Sequence, residues 1–112
     1  MGTFCLSTVI GRVMFMRVIS RKPLRDFAKR FPEAGTELGA WFHEAEGAEW
    51  ADPAQVKAKY GNASVLKAGR VVFNICGNKY RLVVKINYEF GIVYVRFVGT
   101  HREYDGINVE LI

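Results

Sequence analysis

Residues 70–86 read RVVFNICGNKYRLVVKI and carry the clearest structural signal in the sequence. Apolar residues alternate along it on both sides of Gly77-Asn78, a dipeptide suited to a two-residue turn between antiparallel strands. The pattern therefore predicts a β-hairpin. Because paired positions in such a hairpin have a constant sum of residue numbers, a turn at Gly77-Asn78 places Asn74 opposite Arg81.

A third strand is predicted after the four-residue loop 88–91, because the alternation resumes there. Its apolar row is Val93, Val95 and Phe97. A loop of this length pairs Lys85 with Tyr94 and Val83 with Arg96. The sequence therefore predicts a three-stranded antiparallel meander.

Upstream of the strands, apolar residues recur every three or four positions, which is the spacing of amphipathic helices. Ser20 as a cap and Pro23 in the first turn predict a helix that ends before Pro32. A second helix is expected over 33–47. Asp52, followed by a proline, predicts the start of a short third helix.

These elements predict an α+β fold, in which an N-terminal helical hairpin packs on one face of a small, mainly antiparallel β-sheet. Residues 17–19 (RVI) are a candidate further strand. Residues 1–15 are interpreted as an N-terminal extension, and 16–112 as one domain. The face toward the helices is expected to carry Val71, Phe73, Ile75, Tyr80, Leu82, Val84, Ile86, Val93, Val95 and Phe97.

Composition narrows the class of protein. A chain of 112 residues that is 50% hydrophobic and 24% charged is typical of one globular domain. No apolar run approaches the roughly 20 residues of a membrane-spanning helix, so we expect a cytoplasmic protein with no membrane partner. Two separated cysteines and two histidines offer no metal-ligand spacing, and neither a metal nor a cofactor is expected.

Charge is strongly segregated along the chain. The segment 57–102 holds nine Lys and Arg but one acid, Glu89, whereas 33–52 holds six acids and no Lys or Arg. The sheet face away from the helices, which we call the open face, is expected to collect Arg70, Asn74, Lys79, Arg81, Lys85, Tyr94 and Arg96. Such a face is either a solvated surface or, because its charge has one sign, a binding surface for RNA or DNA phosphates.

The motif GTHREYD at residues 99–105 directly follows the last predicted strand. Cleavage of RNA needs a group that takes the 2′-hydroxyl proton, cations near the phosphate, and a proton donor for the leaving 5′-oxygen. His101 can transfer protons, Arg81 and Arg96 can hold a phosphate, and Tyr104 can stack on a base. The alternative is that His101 and Tyr104 only cap the end of the strand through hydrogen bonds.

Two strings together resemble the HigB family of bacterial toxins: FNICGNKYRL at 73–82 and VRFVGTHREYD at 95–105. Residues 16–22 (MRVISRK) and Glu49-Trp50 resemble the same family. The resemblance implies a RelE-like fold and a toxin of a type II toxin–antitoxin system. Such a toxin is a metal-independent mRNA interferase that cuts mRNA on the translating ribosome and stops translation and growth.

The resemblance also implies partners and residue roles. A HigA-like helix-turn-helix antitoxin would neutralise the toxin, and operator DNA would be contacted only through the antitoxin complex. Arg81 and Arg96 would bind phosphate, His101 would transfer a proton, and Tyr104 would stack or assist. Further RNA contacts are expected from Arg70, Asn74, Lys79 and Lys85.

Two other functions remain open from the residues alone. One is a noncatalytic RNA-binding module that uses the same open face. The other is a partner-binding protein that works through the acidic second helix. Its acidic residues are Glu33, Glu37, Glu44, Glu46 and Glu49.

Overall fold

The computed structural model describes residues 15–112, which form a five-stranded sheet covered on one face by helices. The predicted extension, residues 1–15, lies outside the described residues except for Phe15. In chain order the elements are β1 (Arg17–Ile19), α1 (Lys22–Arg30), α2 (Pro32–Glu46), α3 (Pro53–Lys59), β2 (Ser64–Val65), a 3-10 turn (Lys67–Gly69), β3 (Arg70–Ile75), β4 (Tyr80–Asn87), β5 (Ile92–Thr100), α4 (His101–Asp105) and a second 3-10 turn (Val109–Leu111).

The strand order across the sheet is β1-β5-β4-β3-β2. β1 pairs with β5 in parallel, and the other pairings are antiparallel. The expected α+β class and the mainly antiparallel sheet are therefore confirmed. No helix within residues 15–112 has both the length and the apolar character of a membrane span.

The helical hairpin packs as expected, but its first cap is different. Ser20 has a left-handed backbone (φ +72°), and Arg21 occupies the cap position without a side-chain hydrogen bond. The prediction that Ser20 caps α1 is therefore wrong. Asp52 does cap α3, since its carboxylate accepts a hydrogen bond from the Gln55 amide.

The core lies between the helices and one face of the sheet, and aromatic rings meet around Phe73 at its centre. The Phe73 ring centre lies 5.4 Å from that of Trp41 on α2, 5.0 Å from Tyr60 and 6.4 Å from Trp50. At the other end, Phe27 of α1 meets Tyr80 edge to face at 5.3 Å. These contacts attach all three predicted helical segments to one side of the sheet.

The first hairpin has the predicted register, because Asn74 pairs with Arg81. In the second hairpin, the expected pair of Lys85 with Tyr94 is also present. The predicted pair of Val83 with Arg96 is wrong. A β-bulge lies at this point, and Val83 pairs with Phe97 instead, so that Arg96 is the extra, unpaired residue of β5.

The bulge changes which residues face the core. Beyond it, Val98 packs against the core, whereas Phe97 turns to the open face, which corrects the expected placement of Phe97. A β-carbon at Gly99 would lie 2.5 Å from the end of the Phe97 ring, so a larger residue at this strand position would require the ring to move. The bulge therefore places an aromatic ring over Gly99, opposite Arg81.

The open face is partly covered by the end of the chain. Residues 106–112 leave α4 beside Arg81 and reach Arg70, whose Nε donates a hydrogen bond to the Ile112 carbonyl at 2.8 Å. Val72 and Val83 are buried on this face although they do not belong to the core under the helices. On the same face, Arg96 of β5 remains exposed.

Candidate functional site

The short helix α4 begins where β5 ends, and a reciprocal pair of hydrogen bonds holds its first turn. The Thr100 hydroxyl accepts a hydrogen bond from the Glu103 amide at 3.1 Å, and the Glu103 carboxylate accepts one from the Thr100 amide at 2.9 Å. This arrangement is a capping box. It explains why α4 begins at His101, directly after the strand.

Two contacts from other elements fix α4 in place. Arg30, at the end of α1, forms an ion pair with Glu103 at 3.2 Å. The His101 amide donates a hydrogen bond to the Lys79 carbonyl in the β3–β4 turn at 2.9 Å. Hydrogen bonds from the Thr100 backbone and then from Arg30 lower the pKa of Glu103, so this carboxylate is ionised at neutral pH.

Arg81 and Tyr104 form a cation–aromatic pair at the edge of the open face. The guanidinium carbon of Arg81 lies 5.9 Å from the centre of the Tyr104 ring. One guanidinium nitrogen donates to the carbonyls of Asn78 and Tyr80, at 3.1 and 3.3 Å. No carboxylate within the described residues forms an ion pair with Arg81. The turn thus orients a guanidinium whose charge is available to an anion.

His101 and Asp105 lie one turn apart on α4. The Nε2 atom of His101 is 3.6 Å from a carboxylate oxygen of Asp105, and both side chains are more than half exposed. A carboxylate at this position can help to orient an imidazole. The end of the open face therefore combines an exposed proton-transfer group with an oriented cation and an aromatic ring.

A second cation–aromatic pair lies farther along the same face. Arg96, the extra residue of the bulge, has its guanidinium carbon 5.4 Å from the centre of the Tyr94 ring. Lys85 pairs with Tyr94 across the strands. All three residues line an open groove of about 780 Å³, whose opposite wall comes from the 3-10 turn and the residues flanking it.

Three of the expected RNA-binding residues have partners within the molecule. Arg70 binds the Ile112 carbonyl, and the Asn74 amide donates to the Asn62 carbonyl at 3.3 Å. Lys79 forms an ion pair with Glu33 of α2 at 2.8 Å. Its expected position on the open face is therefore corrected, since its ammonium group turns toward the helix layer.

The acidic residues of α2 also have internal partners. Glu33 accepts hydrogen bonds from Lys79 and Tyr80, Glu37 from the Cys76 amide, and Glu44 from the Tyr60 hydroxyl. The bonds from Lys79 and then Tyr80 lower the pKa of Glu33. These carboxylates tie the helix layer to the sheet edge and the loops, which gives the acidic helix a structural role.

Comparison with known proteins shows the family. Residues 34–107 match the HigB toxin family, described as the RelE-like toxic component of a toxin–antitoxin system. This chain belongs to the HigB toxin family.

Individual relatives match over most of their length. The "mRNA interferase toxin HigB" of Escherichia coli is 34% identical over 92 residues, which cover 80% of this chain and 88% of the relative. The "mRNA interferase HigB" of Shigella flexneri has the same identity and coverage. A protein of that name from another Escherichia coli strain is 23% identical over 92 residues, which cover 80% of this chain and 89% of the relative.

In this HigB-family toxin, the residues expected to form one site lie in two groups. Arg81, Tyr104 and His101 lie at the α4 end of the open face. Gly99 is the cross-strand partner of Arg81, and Arg96 comes three residues before it. Arg96 is thus about 10 Å along the strand from the position of Arg81. Arg96 is therefore grouped with Tyr94 and Lys85 rather than with the α4 residues.

Sequence reasoning missed several residues that build the site of this HigB-family toxin. Thr100 and Glu103 form the capping box, a signal that the spacing T-x-x-E already carries. Arg30 is 73 residues away from its partner Glu103 along the chain, so no local pattern points to this ion pair. Within residues 15–112, no group of three His, Cys, Asp or Glu side chains is placed to hold a metal ion.

Proposed function

We propose that this toxin is an mRNA interferase, an endonuclease that cuts mRNA on the ribosome and thereby stops translation. The observation that carries the proposal is the Arg81–Tyr104 pair, which lies beside His101 at the end of a basic sheet face. The printed names of its relatives, mRNA interferases, support the same activity. Cytoplasmic localisation, where the ribosomes are, belongs to this proposal.

The chemistry that the α4 end can perform is transesterification within RNA. A base takes the proton of a 2′-hydroxyl, the 2′-oxygen attacks the adjacent phosphorus, and the bond to the 5′-oxygen breaks as that oxygen gains a proton. The products are a 2′,3′-cyclic phosphate and a 5′-hydroxyl. The atoms balance without any further reactant.

Each residue at the α4 end has a role in this reaction. The Arg81 guanidinium stabilises the charge that grows on the phosphate oxygens. His101 transfers a proton, and Asp105 orients its imidazole from 3.6 Å. Tyr104 stacks on a nucleobase beside the cleaved bond. Farther along the same face, Arg96 and Lys85 bind phosphates of the same RNA, because neither forms an ion pair within residues 15–112.

Membership of a toxin–antitoxin family implies an antitoxin partner for this chain. We propose that the antitoxin is a HigA-like helix-turn-helix protein and that operator DNA is contacted through its complex with the toxin. Of the expected RNA contacts, Arg70, Asn74 and Lys79 act in folding through their internal bonds. Their contribution to RNA binding is smaller than that of Lys85.

The second candidate function is RNA binding without cleavage. The two cation–aromatic pairs favour it as much as they favour catalysis, because stacking and phosphate contacts also serve simple binding. His101 separates the two functions. A simple RNA binder retains its affinity and its biological effect when His101 becomes alanine.

Growth arrest after induced expression tests the proposal. Wild-type expression is expected to stop growth, whereas Arg81→Ala and His101→Ala relieve the arrest. Arg25→Ala is the matched control, since it removes an exposed guanidinium from α1 in the helix layer. Circular dichroism of each purified variant shows that it folds. Arrest by a folded His101→Ala variant would contradict the proposed catalytic role.

A further inference from the structure

We propose that Tyr94 and Arg96 form a second nucleotide-binding subsite, which takes a base of the RNA several nucleotides away from the cleaved bond. This inference rests on the proposed function, because it assigns a role within the same RNA-binding face. Nothing in the sequence motif marks Tyr94 for this role. The subsite follows from the contact between the two side chains and from the groove that they line.

The two side chains lie next to each other at the bulge. Residues at positions 94 and 96 of a regular strand project from the same face, about 7 Å apart. In β5 the extra residue, Arg96, is unpaired and exposed, and its guanidinium carbon lies 5.4 Å from the centre of the Tyr94 ring. The guanidinium and the ring therefore form one cation–aromatic unit.

A tyrosine with an adjacent arginine is a suitable platform for a nucleobase. Bases of single-stranded RNA stack on aromatic rings and on guanidinium planes, whatever their sequence. Lys85, the cross-strand partner of Tyr94, adds a positive charge beside the platform for the phosphate of the same nucleotide. The subsite therefore has one element for the base and one for the backbone.

The space beside the platform fits a nucleotide. The groove lined by Lys85, Tyr94 and Arg96 has a volume of about 780 Å³, within the range of pockets that enclose small ligands. The groove is open to solvent, so an RNA chain longer than one nucleotide can enter and leave it. Its one acidic lining residue is Glu89, which sits in the turn after β4.

The position of the groove sets the distance from the reaction. Lys85 and Arg81 are four residues apart on β4, or about 13 Å, and Tyr104 stands beside Arg81. This span is about four times the 3.4 Å step between stacked bases. The Arg81–Tyr104 pair and the Arg96–Tyr94 pair are therefore two binding positions, which we call stations, for different nucleotides of one RNA strand.

The experiment measures affinity for two synthetic RNAs by fluorescence anisotropy. One has about ten nucleotides and reaches both stations, and the other is a dinucleotide that reaches only one. Both carry 2′-O-methyl groups so that they cannot be cleaved. Tyr94→Ala is expected to weaken binding of the longer RNA about 5- to 150-fold, the loss of one stacked base. Dinucleotide binding should fall less, because a dinucleotide can still bind the Arg81–Tyr104 pair.

Matched variants separate stacking from folding. Tyr94→Phe retains the ring and is expected to bind like the wild type, whereas Tyr94→Leu retains apolar volume without the ring and is expected to bind like Tyr94→Ala. Phe90→Ala removes an exposed aromatic side chain outside the groove lining and should have no effect. A 2-aminopurine base placed along the longer RNA should be quenched at one position by the wild type and by Tyr94→Phe, but not by Tyr94→Leu.

The outcomes distinguish this subsite from the proposed function. If folded Tyr94→Leu binds the longer RNA like the wild type while Tyr104→Ala binds it weakly, the subsite is wrong and the proposed function stands. If the wild type binds neither RNA and cuts no mRNA on ribosomes, the proposed function fails and the subsite fails with it. The subsite is supported if both Tyr94→Ala and Tyr94→Leu lose more affinity for the longer RNA than for the dinucleotide.

Discussion

The guanidinium carbon of Arg81 lies 5.9 Å from the centre of the Tyr104 ring, although the two residues belong to different elements, β4 and α4. The β3–β4 turn orients Arg81 through its carbonyls, and the capping box of α4 orients Tyr104. The Arg81 guanidinium and the Tyr104 ring are thus held next to each other by the turn and by α4, which the hydrogen bond from the His101 amide to the Lys79 carbonyl joins. This relationship underlies the assignment of the reaction to the α4 end of the open face.

The ring of Tyr104, rather than its hydroxyl, is expected to matter for activity. Tyr104→Ala removes the stacking surface and should lower cleavage efficiency about 5- to 150-fold, in line with one lost base stack. Tyr104→Phe retains the ring and should cleave within a few-fold of the wild type. Steady-state cleavage of a reporter mRNA on ribosomes measures both. Equal loss in the two variants would assign the effect to the hydroxyl and contradict the stacking role.

The capping box is expected to support both stability and activity. Thr100→Ala removes the hydroxyl that accepts a hydrogen bond from the Glu103 amide. The substitution should lower the free energy of unfolding by about 1 kcal/mol. Because the first turn of α4 then frays, cleavage should fall as well. Thr100→Ser retains the hydroxyl and is the control. Urea denaturation and a cleavage assay measure the two effects, and full activity in Thr100→Ala would show that α4 needs no cap to function.

Glu33 is expected to make stability depend on acidic pH. Its pKa is lowered in the folded state by hydrogen bonds from Lys79 and Tyr80. Its ionised form therefore stabilises the protein above the pKa of the unfolded carboxyl, and this contribution is lost as the pH falls through the lower, folded-state pKa. Glu33→Gln should be less stable than the wild type at neutral pH, and the difference should vanish in acid.

Urea denaturation at neutral pH and at a pH below the folded-state pKa of Glu33 measures this difference. Glu89→Gln is the control, because Glu89 forms no ion pair in the part of the chain that the structure describes. A deficit in Glu33→Gln that is the same at both pH values would show that the ionised carboxylate is not what stabilises the fold.

Phe73 is expected to be a main contributor to stability. Its side chain is 2% exposed and contacts Trp41, Trp50 and Tyr60. Phe73→Ala leaves a large cavity and should lower the free energy of unfolding by about 3–5 kcal/mol. Phe90→Ala, at a side chain that is 63% exposed, should change it by less than about 0.5 kcal/mol. Similar denaturation midpoints for the two variants would contradict the described core.

The first hairpin could be predicted because its pattern has only one solution. Shifting the pairing by one residue would expose Phe73 and bury Asn74 and Arg81, so the alternation and the turn agree on one register. The bulge in β5 could not be predicted in the same way. Phe97 and Val98 are both apolar, so either can face the core, and only the packing against β4 selects Val98.

The candidate site was predictable in its residue types but not in its grouping. His101, Arg81 and Tyr104 were recognisable from the motif and from family resemblance, and the structure places Arg81 against Tyr104. The position of Lys79 was not recognisable, because its partner Glu33 lies 46 residues away along the chain. Contacts of this kind depend on how the helix layer meets the turn, which no local pattern contains.

Mapping of mRNA cleavage by primer extension, with purified protein in the presence and absence of bacterial ribosomes, is the decisive test of the proposed reaction. We expect cuts that require ribosomes, that are lost in folded Arg81→Ala and His101→Ala, and that persist in Arg25→Ala. Loss of one oriented cation near the phosphate should slow cleavage about 100- to 1,000-fold. Intact mRNA with the folded wild type, or the same cuts with His101→Ala, would rule out the proposed reaction at this site.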